Sequence, residues 1–335
     1  MSSILTNASA LSALQSLTQT QSALKTTESQ VSTGLAVATA ADNASYWSIA
    51  AQLSSDSGIV TASNQALSQS QAVLSTASSA ISSVTSTIAQ IESALTQATN
   101  PGADLTAIET TLTQLGSQLA STVNGASFNG LNILNDSTLP TASQGASTAT
   151  GTLAFVSGFN ATATGGQINT ISLTTQALIN GGTVGTVGTA GTSGYGILDG
   201  GTSYTPVVNG TAGTSTPIDL LTLGNQIATA NTSGGTTGAA AAASSALQGV
   251  AAVLNTLTSY AAQIGTTQNA MTAASNFNSA LTTNYSTGVS ALVDADMNTA
   301  STRLQALQTQ EQLGIQSLSI ANQNSQLILK LFSGA

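Results

Sequence analysis

The chain contains no cysteine and no histidine among its 335 residues. This excludes disulfide bonds, Cys or His nucleophile–base pairs, and the zinc sites that these residue types dominate. Only Lys25, Arg303 and Lys330 carry positive charge, against twelve acidic residues, which gives a formal net charge of −9. Nucleic acids and anionic membranes are both bound through clusters of Lys and Arg, so we expect neither as a partner.

Charge of either sign is scarce. Charged residues make up 4% of the chain and aromatic residues 3%, whereas 41% of residues are hydrophobic. Soluble domains typically carry about a quarter charged residues, and a monomer that must stay in solution alone rarely has so few. We therefore expect the apolar surfaces of this chain to be covered by something else.

Several kinds of functional segment are also missing from the sequence. The N-terminus lacks a basic start followed by an apolar core and a cleavage site, so we expect no cleavable Sec-type signal peptide. No apolar run reaches the roughly 20 residues that span a bilayer. The two carboxylates of Asp294 and Asp296 would point to different sides of a helix. We therefore expect no enzyme activity, no metal site and no cofactor.

The N-terminal segment has the apolar period of a coiled coil. Its apolar positions recur at heptad spacing, which is the pattern of a seam between two helices. They are Leu11, Leu14, Leu17, Leu24 and Val31. This pattern predicts a helix from Ser2 to about Thr33, and we expect an extended connector between Gly34 and Tyr46.

The last helix carries two apolar seams. The first contains Leu304, Leu307, Leu318 and Ile328, and the second contains Leu313, Ile320 and Leu327. Two seams on one helix need two covering surfaces, and the N-terminal helix can supply one. The other seam indicates neighbouring copies, because a patch complementary to another part of the same molecule builds an open helical assembly. All twelve apolar residues of the terminal seams are therefore predicted subunit-interface residues.

The predicted fold class is mainly α with a β-rich insert. A long helix is expected from Tyr46 to Thr99, a third helix after an Asp104 N-cap, and helix again from about Ala239. Between residues 139 and 238 closely spaced Gly pairs indicate short strands and turns, with a partly disordered Thr/Gly stretch as the alternative. The density of Ser and Thr there motivates the hypothesis of O-linked sugar.

Three domains are predicted from these differences in composition and apolar spacing. Residues 1–41 with 293–335 form a coiled-coil domain of long terminal helices, in which the N- and C-terminal segments pack together. Residues 42–138 with 239–292 form a helical bundle with a short hairpin, and residues 139–238 form a β-rich domain.

Short motifs at both ends resemble those of bacterial flagellins. At the front the matching stretches are Ile4, Thr6-Asn7, Ala10-Leu11, Val31-Ser32-Thr33-Gly34-Leu35, Ala41-Asp42-Asn43-Ala44 with Ile49-Ala50, and Phe128-Asn129-Gly130 with Leu134. At the back they are Leu292-Val293-Asp294-Ala295-Asp296-Met297 and the stretch from Arg303 to Leu327. These regions cover about the first 135 and the last 90 residues. The stretch Tyr46-Trp47-Ser48 and the Ala-rich helices resemble the alphaproteobacterial branch.

The resemblance implies a structural subunit that polymerises into the extracellular flagellar filament and serves motility. The terminal helices would pair antiparallel and line an inner tube, the bundle would form the tube wall, and the variable β-rich domain would face outward. Partners implied are further copies of the chain, the flagellar type III export apparatus, an export chaperone, and the hook-junction and cap proteins. A hook–filament junction protein and a secreted adhesin are the alternatives.

The sequence departs from related flagellins at the helical patch that animal innate receptors recognise. Recognised relatives carry Arg there, whereas this chain has Gln90 and Glu92 within Ala89–Leu95. Arg side chains often dominate binding energy at interfaces. We therefore expect weak or absent recognition by that receptor.

Overall fold

The computed structural model describes residues 7–135, 150–162, 165–179, 196–204, 207–208, 211–212 and 216–333. The helices are α1 (Ala8–Thr33), α2 (Ala44–Ala98), α3 (Leu105–Gly125), α4 (Leu223–Val293) and α5 (Met297–Ser333). The strands are β1 (Thr150–Thr162), β2 (Gly165–Gln176), β3 (Asp199–Tyr204), β4 (Val207–Val208), β5 (Thr211–Ala212) and β6 (Thr216–Asp219). The predicted fold class, mainly α with a β insert and packed terminal helices, is confirmed.

The chain forms two compact units. One contains residues 1–59 and 280–335, and the other contains residues 60–279. Both α2 and α4 therefore contribute residues to each unit. The division into three domains predicted from the sequence stays a prediction.

Local capping and turn residues set several boundaries. The Asp104 side chain accepts a hydrogen bond from Ala107 N at 3.2 Å, which confirms this residue as the N-cap of α3. After α3, Asn129 and Gly130 both have positive φ, at 52° and 80°. Positive φ at both central residues defines the type I′ turn that joins antiparallel segments, and Phe128 and Leu131 exchange backbone hydrogen bonds across it.

The core of residues 60–279 comes from the apolar faces of α2, α3 and α4. Four apolar residues of α2 that lie seven apart in the sequence are all buried: Leu67, Leu74, Ile81 and Ile88. They join one cluster with the buried faces of α3 and α4. Removing each such side chain from water contributes about 1.5–3 kcal/mol to folding. Tyr260 of α4 is also buried, its hydroxyl lies 3.4 Å from Ile133 O, and burial raises the pKa of its phenol to about 12.

Helix α4 begins at Leu223, sixteen residues before the predicted start at about Ala239. The Gly-rich stretch before Ala239 suggested strands and turns, but only Gly235, with φ 61°, interrupts the helical backbone. Just before the helix, Asp219 Oδ1 accepts from Leu221 N at 2.9 Å, and its Oδ2 accepts from Thr222 Oγ1 at 2.6 Å. These bonds fix the turn that leads into α4.

Strands β1 and β2 form an antiparallel pair within the segment where short strands and turns were predicted. The register shifts between Val156 and Gly158, which is a β-bulge. Asn278 of α4 donates to Ser157 O at this bulge, at 2.9 Å. Any side chain at residue 158 would place its Cβ 3.1 Å from Asn278 Oδ1, so glycine lets the bulge receive the amide. Much of the predicted middle domain, including both Asn180-Gly181 and Asn209-Gly210, lies outside the described residues.

One window of α4 has the length and mean hydropathy of a membrane span, although the sequence suggested no such run. Its mean hydropathy over 18 residues is 1.3, and 33% of the window is buried within the protein. A single such helix is weak evidence, because Ala-rich core helices of soluble proteins pass the same test.

We predict that Gly116→Ala in α3 destabilises the protein. A Cβ at residue 116 would lie 2.7 Å from the backbone oxygen of Leu221, which no rotamer change relieves. Helix propensity alone favours Ala over Gly by about 1 kcal/mol. We expect the clash to outweigh that gain and to lower the free energy of unfolding by roughly 1–3 kcal/mol.

Gly265→Ala in α4 is the matched control. Nothing lies within 4 Å of a Cβ at that position, so the same change should raise the free energy of unfolding by about 0.5–1 kcal/mol. Urea unfolding of the monomer, followed by circular dichroism, measures both. Equal stabilisation by the two variants would show that α3 does not pack this closely on residues 220–221.

Candidate assembly surface

Helices α1 and α5 pack against each other in antiparallel directions. Asn7 near the start of α1 donates to Ala321 O at 2.9 Å, and Gln21 Nε2 donates to Glu311 Oε1 at 3.1 Å. Residue numbers thus rise along one helix as they fall along the other. The predicted pairing of the N-terminal and C-terminal helices is confirmed.

The contact between these helices, here called the seam, follows a heptad pattern on both sides. On α1 the heptad positions, all partly or fully covered, are Ala10, Ala13, Leu17, Thr20, Leu24, Thr27 and Val31, and Ala23 and Gln30 beside them are partly covered too. Those of α5 are Ala300, Leu304, Leu307, Glu311, Gly314, Leu318 and Ala321. Spacings of three and four alternate throughout, as in coiled coils. Small residues alternate with leucines, and a Cβ at Gly314 would lie only 3.1 Å from Leu17 Cδ1.

A backbone clamp joins the end of α1 to the start of α5. Gly34, at φ 75°, ends α1 in the left-handed conformation, and its carbonyl accepts from Ala295 N at 2.8 Å. Leu35 and Asp294 form an antiparallel bridge, and Ala36 N donates to Val293 O at 2.7 Å. The connector after residue 34, predicted to be extended, is therefore held by hydrogen bonds to the other end of the chain.

Two carboxylates near the clamp accept hydrogen bonds from threonines three residues away. Thr299 donates from its hydroxyl and backbone to Asp296, and these bonds hold the pKa of that carboxyl below its usual range. Backbone and side-chain hydrogen bonds from Thr39 likewise lower the pKa of Asp42. Asp296 is thus a charged cap at the N-terminus of α5, where the helix dipole favours an anion. Within the described parts of the chain, no three Asp or Glu side chains lie close enough to hold a metal ion.

The predicted interface residues divide into two sets. Six of them lie in the seam within the chain: Leu17, Leu24, Val31, Leu304, Leu307 and Leu318. Four others are left exposed: Leu11 at 71%, Leu14 at 49%, Leu313 at 58% and Ile320 at 66% of their surface. Leu327 and Ile328 lie in α5, but their side chains are outside the described residues. The seam therefore uses one face of each helix, and the apolar flanks of both remain uncovered.

Sequence reasoning missed several residues of this surface, among them the small residues and threonines of the seam. Ile315 is 53% exposed on α5 and was absent from both predicted seams. A helical projection would have placed it on the flank opposite Leu313. Glu311 and Gly314 were missed because neither is apolar enough to be counted in a hydrophobic repeat, although both occupy seam positions.

The two residues of the predicted receptor patch lie on α2. Gln90 and Glu92 are both exposed, and Ile91 between them points into the core. Their side chains are therefore available to a partner, and neither carries the positive charge that recognised relatives present there.

The chain is mainly helical, its two ends pair, and the paired helices keep apolar flanks exposed. These features are typical of a structural subunit that assembles with other copies. Models of the bacterial flagellin N-terminal and C-terminal helical regions match residues 4–139 and 247–332. Flagellin C of Rhizobium meliloti is 37% identical over 335 residues, with 99% of each chain covered. The flagellin of Brucella melitensis is 33% identical over the full length of both chains. Flagellin FljK of Caulobacter vibrioides is 28% identical, with 99% of each covered.

The chain belongs to the bacterial flagellin family and is a structural subunit of the extracellular flagellar filament. Its relatives come from alphaproteobacteria, which confirms the predicted branch.

The seam predicts a specific disulfide. Leu17 Cβ lies 3.9 Å from the Cβ position at residue 314, which is within the range that a disulfide bridges. The chain has no cysteine of its own, so the double variant Leu17→Cys with Gly314→Cys reports on this contact alone. We expect mild oxidation to give a cross-linked monomer that migrates faster on a non-reducing gel.

The control pairs Leu17→Cys with Ile320→Cys, because Ile320 lies on the exposed flank of α5 rather than in the seam. That pair should not close within one chain. Preferential cross-linking of the control pair, or only intermolecular dimers from both, would contradict the observed register.

Proposed function

We propose that the filament grows through the exposed flanks of the terminal helices, while the seam holds each subunit together. The observation that carries this proposal is the exposure of Leu313 and Ile320 on a helix whose other face is already occupied by α1. Burying apolar surface contributes about 25 cal/mol per Å². Large exposed side chains on a chain with so little charge therefore favour association strongly.

The contact is heterologous in this proposal. The flank of α5, with Leu313 and Ile320, meets a different surface on the next copy, and the flank of α1, with Leu11 and Leu14, supplies an apolar counterpart. Head-to-tail contacts of this type produce a helical polymer when the rotation from one copy to the next does not close a ring.

The remaining assignments follow the family resemblance. Residues 1–41 with 293–335 would line the inner tube, residues 42–138 with 239–292 would form the wall, and residues 139–238 would face outward with any O-linked sugar. Export would use the flagellar type III apparatus without a cleavable signal peptide, with a chaperone covering α5 before assembly. Hook-junction and cap proteins would be the partners at the filament ends. No observation favours a junction protein or an adhesin instead.

We predict that Ile320→Asp abolishes polymerisation without unfolding the subunit. The substitution places a charge on the proposed contact, and burying an unpaired carboxylate costs several kcal/mol. Ile320 is exposed within the chain, so the helical circular dichroism signal and melting temperature of the monomer should be unchanged. Seeded assembly at neutral pH, imaged by negative-stain electron microscopy, provides the measurement.

Gln312→Asp is the matched control, because it adds the same charge at an exposed polar position of α5 about 100° around the helix from Leu313. A truncation after Met297 serves as the negative control. Filaments from Ile320→Asp that match the wild type in yield and length would show that this flank is not a subunit contact.

We also predict weak recognition by the innate receptor that binds related flagellins. Glu92 and Gln90 would replace cationic contacts, and Arg at such sites often contributes more than about 2 kcal/mol. Purified monomer should fail to activate receptor-bearing cells at nanomolar concentration, whereas Glu92→Arg with Gln90→Arg should increase activation. Activation by the unaltered monomer at nanomolar concentration would refute the prediction.

A further inference from the structure

In the terminal helices, several threonine hydroxyls donate hydrogen bonds to backbone carbonyls of their own helix. On α5, Thr302 Oγ1 donates to Asn298 O at 2.8 Å, and Thr309 Oγ1 donates to Gln305 O at 2.9 Å. Each bond returns to the carbonyl one turn earlier in the same helix. With its hydroxyl turned back to the backbone, a threonine can present its methyl group to a neighbour.

The seam within the chain already uses threonine in this way. Thr27 lies at a seam position of α1 and is only 2% exposed, and its hydroxyl donates to Ala23 O at 2.9 Å. Thr20, also in the seam, donates to Ser16 O at 3.0 Å. Neither hydroxyl bond depends on α5, so helix-to-helix packing covers these threonines without leaving a polar group unpaired.

The same arrangement continues the apolar flank of α5 toward its N-terminus. Thr302, Thr309, Leu313 and Ile320 are all exposed, and they are spaced by seven, four and seven residues. Such spacings place them along one side of the helix. We call this set the outer stripe of α5. It contains no charged residue, although Arg303 lies next to it in sequence.

We infer that Thr302 and Thr309 belong to the subunit contact, and that the outer stripe of α5 packs on a terminal helix of a second copy without hydrogen bonds from the threonine hydroxyls to that copy. The inference rests on the proposed function, in which Leu313 and Ile320 form the apolar part of the same contact. Threonine in the seam shows that this chain packs such residues between helices. Exposed threonines of the same geometry on an uncharged stripe are suited to the same use between copies.

The physical consequence is a surface that is hydrated before assembly and whose burial costs little desolvation free energy. Polar groups that lose water and end up imperfectly paired weaken association. A hydroxyl that is bonded to its own helix before and after assembly avoids that loss. A side-chain amide cannot satisfy all of its donors and acceptors locally, so it would weaken the contact.

The test compares two double variants in the seeded assembly assay. Thr302→Val with Thr309→Val keeps the methyl group and removes the hydroxyl, and Thr302→Asn with Thr309→Asn introduces amides. Thr, Val and Asn have similar helix propensities, so differences between the variants do not come from helix formation. Circular dichroism of each monomer checks that helicity and melting temperature match the wild type.

We expect the Val variant to assemble at a critical concentration equal to or below that of the wild type, and the Asn variant to require at least about a tenfold higher concentration. A raised critical concentration for the Val variant would mean that the hydroxyls bond to the neighbouring copy, which overturns the inference. An unchanged value for the Asn variant would mean that the stripe is not buried, which also overturns it. Failure of the wild type to assemble would instead refute the proposed function.

Discussion

The pairing of the first helix with the last is the interaction on which the assembly surface depends. It brings together two segments about 300 residues apart in sequence, through one face of α1 and one face of α5. The clamp between residues 34–36 and 293–295 anchors one end of the pair. Because the seam uses a narrow face of each helix, apolar side chains on the flanks of α1 and α5 stay exposed in the described part of the chain.

Scarcity of charge acts together with this geometry. Hydroxyl and amide side chains replace charged ones over most of the helical surface, and many Ser and Thr hydroxyls bond to the backbone one turn earlier. Charges would have to be paired or desolvated when copies pack, at a cost that exceeds the gain in many buried ion pairs. Locally satisfied hydroxyls reduce that cost, which suits a subunit whose surfaces are meant to be covered.

The core of residues 60–279 is built on a different principle. There α2, α3 and α4 bury most of their large apolar side chains against one another, although Phe277 of α4 stays 66% exposed, and Gly116 lets α3 approach the backbone of residues 220–221. Asp219 accepts hydrogen bonds from the two residues that lead into α4. Among the described residues, this unit thus buries many more apolar side chains than the unit that holds α1 and α5.

Local sequence determined the helices, their heptad faces, the Asp104 cap and the turn at Asn129-Gly130, because each depends on residues within a few positions of one another. Only the tertiary structure decided which seam is internal and that Glu311 and Gly314 belong to it. Those features depend on contacts between distant segments, and hydrophobic spacing does not specify them. A repeat shows that a helix has an apolar face, but the partner of that face is chosen by register, side-chain size and hydrogen bonds across the contact.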